Sequence, residues 1–225
     1  MGDFSRFGFT SPLQGGRYRF EVAPSVGTVS YVTGRADYRR YFFFNPVTFA
    51  VRGLHVGNYG ARDDRRNGNQ RSITRSFTEE YLGYPYQQGF IRGYSFNSTD
   101  PQDPESQAVF DRLFGTHIAM ASTEVRLPFL GNEQLGLINF PYVPTELVLF
   151  ADAGLAWSAG DDVDPFSFVT DENKLEATTH YPVFSTGAAA RFNLLGQLII
   201  EAYYAYPFQR PDKGGHFGLR FTPGW

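Results

Sequence analysis

Three charged residues in this chain could do chemistry together: an arginine in an apolar, glycine-containing stretch and two carboxylates on separate segments. Arg92 lies in GFIRGYSF (89–96), Glu124 in ASTEVRL and Asp152 in LFADAG. Paired carboxylates can act as general acid and base, but an arginine between them keeps both ionised, which is unfavourable for a general acid. A guanidinium can instead hold two carboxylates together through its planar fork of donors. The residue types therefore favour a structural bridge over catalysis.

Other kinds of chemistry have weaker support. The four histidines lack metal-ligand spacing, no nucleophile elbow occurs, and DDVDPF (161–166) and TDENK (170–174) lack the spacing of a calcium loop. The absence of cysteine excludes disulfides and thiolate metal sites. We therefore expect no enzyme, no metal and no cofactor. The histidines are His55, His117, His180 and His216.

Composition limits the partners and the organisation of the chain. A formal net charge of -3 argues against a nucleic-acid partner, and 225 residues suit a single domain spanning 1–225. The N-terminal MGDFSRFGF has neither the basic region nor the apolar core of a signal peptide, which leaves a cytosolic chain and a mature or truncated chain both open. The 23 Phe and 14 Tyr make the chain unusually rich in rings.

Apolar residues alternate with other types at period two in many segments, which predicts strands. In ELVLFADAGLA (146–156), for example, alternation places Phe150, Asp152 and Gly154 on one face and leucines and alanines on the other. The same parity turns Glu124 inward with Arg126. Eight strands are predicted: 17–23, 31–41, 47–56, 116–127, 146–156, 183–193, 198–208 and 217–222.

The lengths of these segments and of their connections favour a transmembrane antiparallel β-barrel. Many reach about 9 to 11 residues, enough to cross a bilayer when tilted. Short turns such as 44–46 alternate with long loops such as 57–115, as in outer-membrane barrels. A soluble sandwich or lipocalin-like barrel is the alternative. Aromatic clusters at strand ends, such as YRRYFFF (38–44), resemble interfacial girdles and favour the membrane.

Four motifs in this order resemble those of the BamA-type superfamily of outer-membrane assembly and translocation proteins, the bacterial surface antigen barrel. FIRGY (90–94) resembles the family's loop motif, ASTEVRLP (121–128) and LFADAG (149–154) resemble two of its strands, and GHFGLRFTPGW (215–225) resembles its terminal signal. The resemblance spans Phe9 to Trp225 and covers the carboxy-terminal half of a sixteen-stranded barrel.

This resemblance implies roles for particular residues. The outer loop at about 57–115 is expected to fold into the lumen and to be pinned there by its motif, with Arg92 bridging Glu124 and Asp152. The terminal signal departs from its usual form, because Pro223 cannot donate a ladder hydrogen bond and should lie beyond the last strand. The motif is Ile91, Arg92, Gly93 and Tyr94; its lumen partners are Glu124, Phe150, Asp152 and Gly154; the terminal signal is Phe217, Leu219, Phe221 and Trp225.

Eight strands leave three structural outcomes: a piece of a longer barrel, a barrel that closes on itself, or a half-barrel completed by a second copy. We favour the homodimer, because the chain starts beside its first strand with SPLQGG (11–16) as a preceding turn. The resemblance implies a Gram-negative outer membrane, contact with membrane lipids, and a role in inserting or translocating unfolded outer-membrane or secreted proteins. The alternative is a non-catalytic membrane anchor or passive pore for a periplasmic domain.

Overall fold

The structure is a computed structural model dominated by antiparallel strands. It describes residues 1–27, 30–60, 78–83, 90–95, 109, 111–140, 142–169, 179–210 and 214–223. The eight long strands are β1 (Pro12–Ser25), β2 (Tyr31–Phe44), β3 (Val47–Tyr59), β4 (His117–Gly131), β5 (Thr145–Trp157), β6 (Val183–Leu194), β7 (Leu198–Pro207) and β8 (His216–Pro223). The short strands are Gly2–Asp3, Arg6–Phe7, Glu80–Tyr81, Phe114–Gly115, Ile138–Asn139, Asp162–Val163 and Thr179–His180.

The long strands form one meandering sheet in which each strand pairs antiparallel with the next. Tight turns join β2 to β3 and β6 to β7 at one end of the sheet, and the longer connections after Tyr59 and after Trp157 leave from the other end. The prediction of eight antiparallel strands is therefore confirmed. The long loop begins and ends slightly later than predicted, because β3 continues to Tyr59 and β4 begins at His117.

Two predicted boundaries at the ends of the sheet are wrong. Residues 12–16 belong to β1 and are not a turn, because Gly2–Asp3 and Arg6–Phe7 pair with this part of β1 and extend the sheet. The last strand includes Pro223, which lies opposite Leu198. Proline is tolerated there because β8 is an edge strand, where one row of N–H groups has no ladder partner to serve.

The two faces of the sheet have opposite character. Large apolar side chains are exposed on the outer face, for example Phe20 (64% exposed) and Phe217 (70% exposed). Arginines and carboxylates alternate with them on the inner face, as the sequence parity predicted. A soluble β protein would reverse this distribution, so the sheet is a barrel wall that presents an apolar surface to lipid.

The sheet is a partial barrel with two terminal strands. No ladder joins β1 to β8 among the described residues. Residues 2–7, the N-terminal segment, pair with β1 from Pro12 to Tyr18, on the side of β1 that faces away from β2. After Tyr18, β1 has no pairing on that side within the described ranges. The sheet therefore has two unpaired edges within the described residues: β1 from Arg19 to Ser25, and the side of β8 that faces away from β7.

Part of the long connection between β3 and β4 packs into the hollow of the sheet. Leu82, Ile91 and Leu113 are almost completely buried there, in contact with an apolar cluster of the wall that includes Val56 and Ile118. This loop and wall cluster is the main hydrophobic core. Among the described residues, no helix has the length and apolarity needed to cross a membrane.

Candidate functional site

The motif segment makes a sharp turn inside the hollow of the sheet. Gly93 has φ of 92°, a conformation that residues with a side chain rarely adopt. The N–H of Ile91 donates to the carbonyl of Leu82 at 2.9 Å, and the N–H of Tyr94 donates to the carbonyl of Ile91 at 3.3 Å. These bonds fix the turn so that the Arg92 side chain extends to the wall.

Arg92 binds Asp152 through two parallel hydrogen bonds. Nε donates to Oδ2 and Nη2 donates to Oδ1, both at 2.8 Å. The Asp152 side chain is 0% exposed and that of Arg92 is 5% exposed. Ser122 also donates to Asp152 Oδ1 at 2.6 Å. A buried bidentate pair of this geometry is among the stronger polar contacts available to a protein.

Glu124 lies on the adjacent strand and is shared by three guanidinium groups. Arg92 Nη1 is 2.9 Å from Oε1, Arg191 Nη2 donates to Oε1 at 2.7 Å, and Arg126 Nε donates to Oε2 at 2.7 Å. The Arg92 guanidinium also stacks over the Phe150 ring at 3.6 Å from the centroid. The structure thus brings Arg92 together with Glu124, Phe150 and Asp152 on β4 and β5.

The network continues through residues that the sequence reasoning did not single out. Arg191 on β6 bonds Glu201 on β7 and reaches Glu146 on β5 at 3.4 Å. Arg191 and Glu201 face each other directly in the β6–β7 register. The register that joins them is not visible in the sequence. We call the group of Arg92, Ser122, Glu124, Glu146, Asp152, Arg191 and Glu201 the lumen network.

The other motif residues bind neighbouring parts of the wall. Ile91 packs against Gly154, where an added Cβ would run into the Ile91 side chain. The Tyr94 hydroxyl lies 2.9 Å from Gln209 Oε1 and accepts from the Gln209 N–H at 3.1 Å. Burial raises the pKa of the Tyr94 phenol, so it stays a protonated donor. Arg210 donates to the carbonyl of Gly93 at 3.0 Å.

The predicted terminal-signal residues lie apart from this site. Phe217, Leu219 and Phe221 are exposed on the outer face of β8, and Trp225 lies outside the described residues. The segment TDENK also lies outside them. Within the described ranges, no three His, Cys, Asp or Glu side chains are grouped as metal ligands would be.

Comparison with known protein families decides the assignment. The family model described as the Omp85 superfamily domain matches residues 9–224. The chain belongs to the Omp85 superfamily. The predicted membership of the BamA-type superfamily is therefore confirmed. A comparison with curated proteins found no match. The Omp85 superfamily inserts and translocates membrane proteins and is associated with the bacterial outer membrane.

Proposed function

We propose that this Omp85 chain is a non-enzymatic protein of the Gram-negative outer membrane that assists the insertion, assembly or translocation of other proteins. One observation supports this proposal above the others: the lipid-facing sheet ends in two edges without ladder partners in the described part of the chain. These edges lie along Arg19 to Ser25 and along His216 to Pro223.

Free edges have a direct energetic consequence in a bilayer. Each backbone group left unpaired in hydrocarbon costs several kcal/mol, so the edges favour pairing with any strand that reaches them. An unfolded client strand that adds to the edge satisfies its own backbone groups at the same time. The lumen network ties β4 to β7, which keeps that part of the wall intact while the edges open.

A second copy of the chain is the partner that we propose for closing the wall. An eight-stranded barrel has just enough interior for its own side chains, whereas this lumen also holds loop residues such as Leu82 and Ile91. Twofold symmetry about the barrel axis would place β8 of one copy antiparallel to β1 of the other. The N-terminal segment on β1 limits this pairing to the half of the strand after Tyr18, unless the segment moves.

The function is tested with the purified chain in liposomes and an urea-unfolded outer-membrane client. Client folding is followed by its heat-modifiable migration on gels. We expect folding to be faster than in liposomes without the chain. In a variant that carries Val22→Cys and Leu219→Cys, oxidation should crosslink the terminal strands and slow client folding. Reduction of the crosslink should restore the folding rate. Client folding at the rate of protein-free liposomes, before crosslinking, would contradict the proposal.

The alternative function is a membrane anchor or passive pore, in which the apolar outer face alone matters. A pore has little support, because loop residues and the lumen network occupy the hollow of the sheet. An anchor would leave client folding unchanged, both with and without the crosslink. The same assay therefore separates the two functions.

A further inference from the structure

A cavity of about 120 Å³ lies on the inner face of the wall and is strongly cationic. Its walls include one carboxylate, Glu124, and side chains contributed by four other strands and by the loop. A second cavity of about 160 Å³ shares four of its arginines and adds Arg17. The arginines that line the first cavity are Arg39, Arg52, Arg92, Arg126, Arg191 and Arg220.

The carboxylates around the cavity are already shared among several arginines. Asp37 accepts hydrogen bonds from both Arg39 and Arg52, at 2.8 to 3.1 Å. Glu124 is within 2.9 Å of three guanidinium groups. Each of these two carboxylates is therefore already paired with at least two arginines.

Arg220 adds a further positive charge to this group. It lines both cavities, and it makes no hydrogen bond or ion pair with any residue that the structure describes. Glu201 lies opposite it in the β7–β8 register and attracts it electrostatically, but Arg191 holds Glu201 Oε2, and no hydrogen-bond donor among the described residues reaches Oε1. The guanidinium instead lies 5.8 Å from the centre of the Phe90 ring. A partly buried guanidinium that shares its nearest carboxylate with Arg191 is incompletely neutralised, so the site favours an anion.

The size of the cavity restricts which anion can bind. Pockets for drug-sized ligands occupy about 300–1,000 Å³, well above this volume. A volume of 120 Å³ holds one small group with its hydrating water, since a water takes about 30 Å³. Guanidinium forks match the spacing of oxygens in phosphate and bind it bidentately.

We propose that the Arg220 cavity binds a single phosphate group, as free phosphate or as the phosphate of a lipid headgroup. The inference does not depend on the proposed role in protein insertion, because it concerns the charge balance of the lumen alone. Phosphate bound there would join β8 to the arginines of β2, β3 and β6.

The test uses the full chain in non-ionic detergent, with its thermal unfolding midpoint measured in phosphate and in chloride at equal pH and ionic strength. We expect a saturable rise of the midpoint in phosphate. In Arg220→Gln, phosphate affinity should fall by about tenfold or more, because charge-assisted bonds are lost. The matched control is Arg19→Gln, which removes a lumen arginine that pairs with Glu21 and lines neither cavity.

A parallel series distinguishes the two sources of phosphate. Micelles are doped with phosphatidic acid or with diacylglycerol of the same chains, which lacks the phosphate. A shift of the unfolding midpoint with free phosphate identifies a soluble ligand, and a shift with phosphatidic acid alone identifies a lipid.

Either shift supports the site if it disappears in Arg220→Gln. If Arg220→Gln does not fold, Arg220→Lys replaces it and should weaken binding by loss of the fork. The proposal is overturned by equal midpoints in all conditions or by a shift that both Arg220 variants retain.

Discussion

Arg92 acts in this structure as a cation that holds a loop to a barrel wall. Strand parity placed Glu124 and Asp152 on the inner face, and the family resemblance implied that the loop brings Arg92 to them. The sequence did not predict that Glu124 is shared with Arg126 and Arg191. Those contacts depend on how three or more strands are aligned, and periodicity along one strand carries no information about alignment between strands.

Loss of Arg92 should be far more damaging than loss of an exposed lumen arginine. Arg92→Ala leaves Asp152 buried without its bidentate partner, for which we expect destabilisation of roughly 3–5 kcal/mol and release of the loop. Urea unfolding in lipid and limited proteolysis of the loop measure these two effects. Asp152→Asn, which removes the charge and keeps the shape, should have a smaller effect because Glu124 still faces Arg92.

The matched control is Arg19→Ala. Arg19 pairs with Glu21 at 2.6 Å, and their side chains are 40% and 41% exposed. Pairs of this exposure contribute about 0–1 kcal/mol. Equal stability and equal protease resistance in Arg92→Ala and Arg19→Ala would show that Arg92 does not hold the loop.

At the scale of elements, the contact between β5 and β6 depends on a glycine opposite an aromatic ring. Phe150 faces Gly187 in the register, and a Cβ at Gly187 would run into the backbone oxygen of Tyr204 on β7 and lie 2.8 Å from Phe150 Cζ. The Phe150 ring therefore packs against the backbone of Gly187, and one face of the ring contacts the Arg92 guanidinium. Alternation predicted that Phe150 faces inward, but the need for glycine across from it follows from the pairing of β5 with β6.

Gly187→Ala should thus destabilise the barrel by about 1–3 kcal/mol through overpacking. It should also displace Phe150 and loosen the loop. The control is Gly53→Ala on β3, where an added Cβ meets nothing within 4 Å. There we expect no loss, and a gain of up to about 0.5–1 kcal/mol from the lower entropy of the unfolded chain. Thermal unfolding and proteolysis of both variants are compared with the parent, and similar losses in the two would contradict the packing argument.

At the scale of the whole molecule, strand number and face assignment were predictable, whereas the ends of the sheet were not. Hydrophobic alternation reports each long strand, but Gln14, Gly15 and Gly16 have the composition of a turn. They become strand because residues 2–7 fold back against them. The edge available on β1 is thereby shorter than the strand itself.

Cysteine crosslinking should show how the edges are closed, and the cysteine-free chain suits the method. Val22→Cys with Leu219→Cys places one thiol on each terminal strand. In lipid nanodiscs we expect oxidation to give a covalent dimer of about twice 25.4 kDa, as a twofold half-barrel requires. Crosslinked monomer in its place would show self-closure. Val125→Cys with Leu149→Cys is the positive control, since these positions face each other on β4 and β5 and must link within one chain.

The ion pairs described between the long strands of the wall fall into two separate groups. One joins β1 to β3 through Glu21, Arg35, Asp37, Arg39 and Arg52, and the lumen network joins β4 to β7. β8 contributes no carboxylate to either set and is attached through its ladder with β7. Ion pairs therefore hold together the strands β1 to β3 and the strands β4 to β7, whereas β8 is held mainly by its backbone hydrogen bonds to β7. Under a pulling force applied at the C-terminus, β8 should detach first, in a separate rupture event, while the two ion-paired groups of strands stay intact.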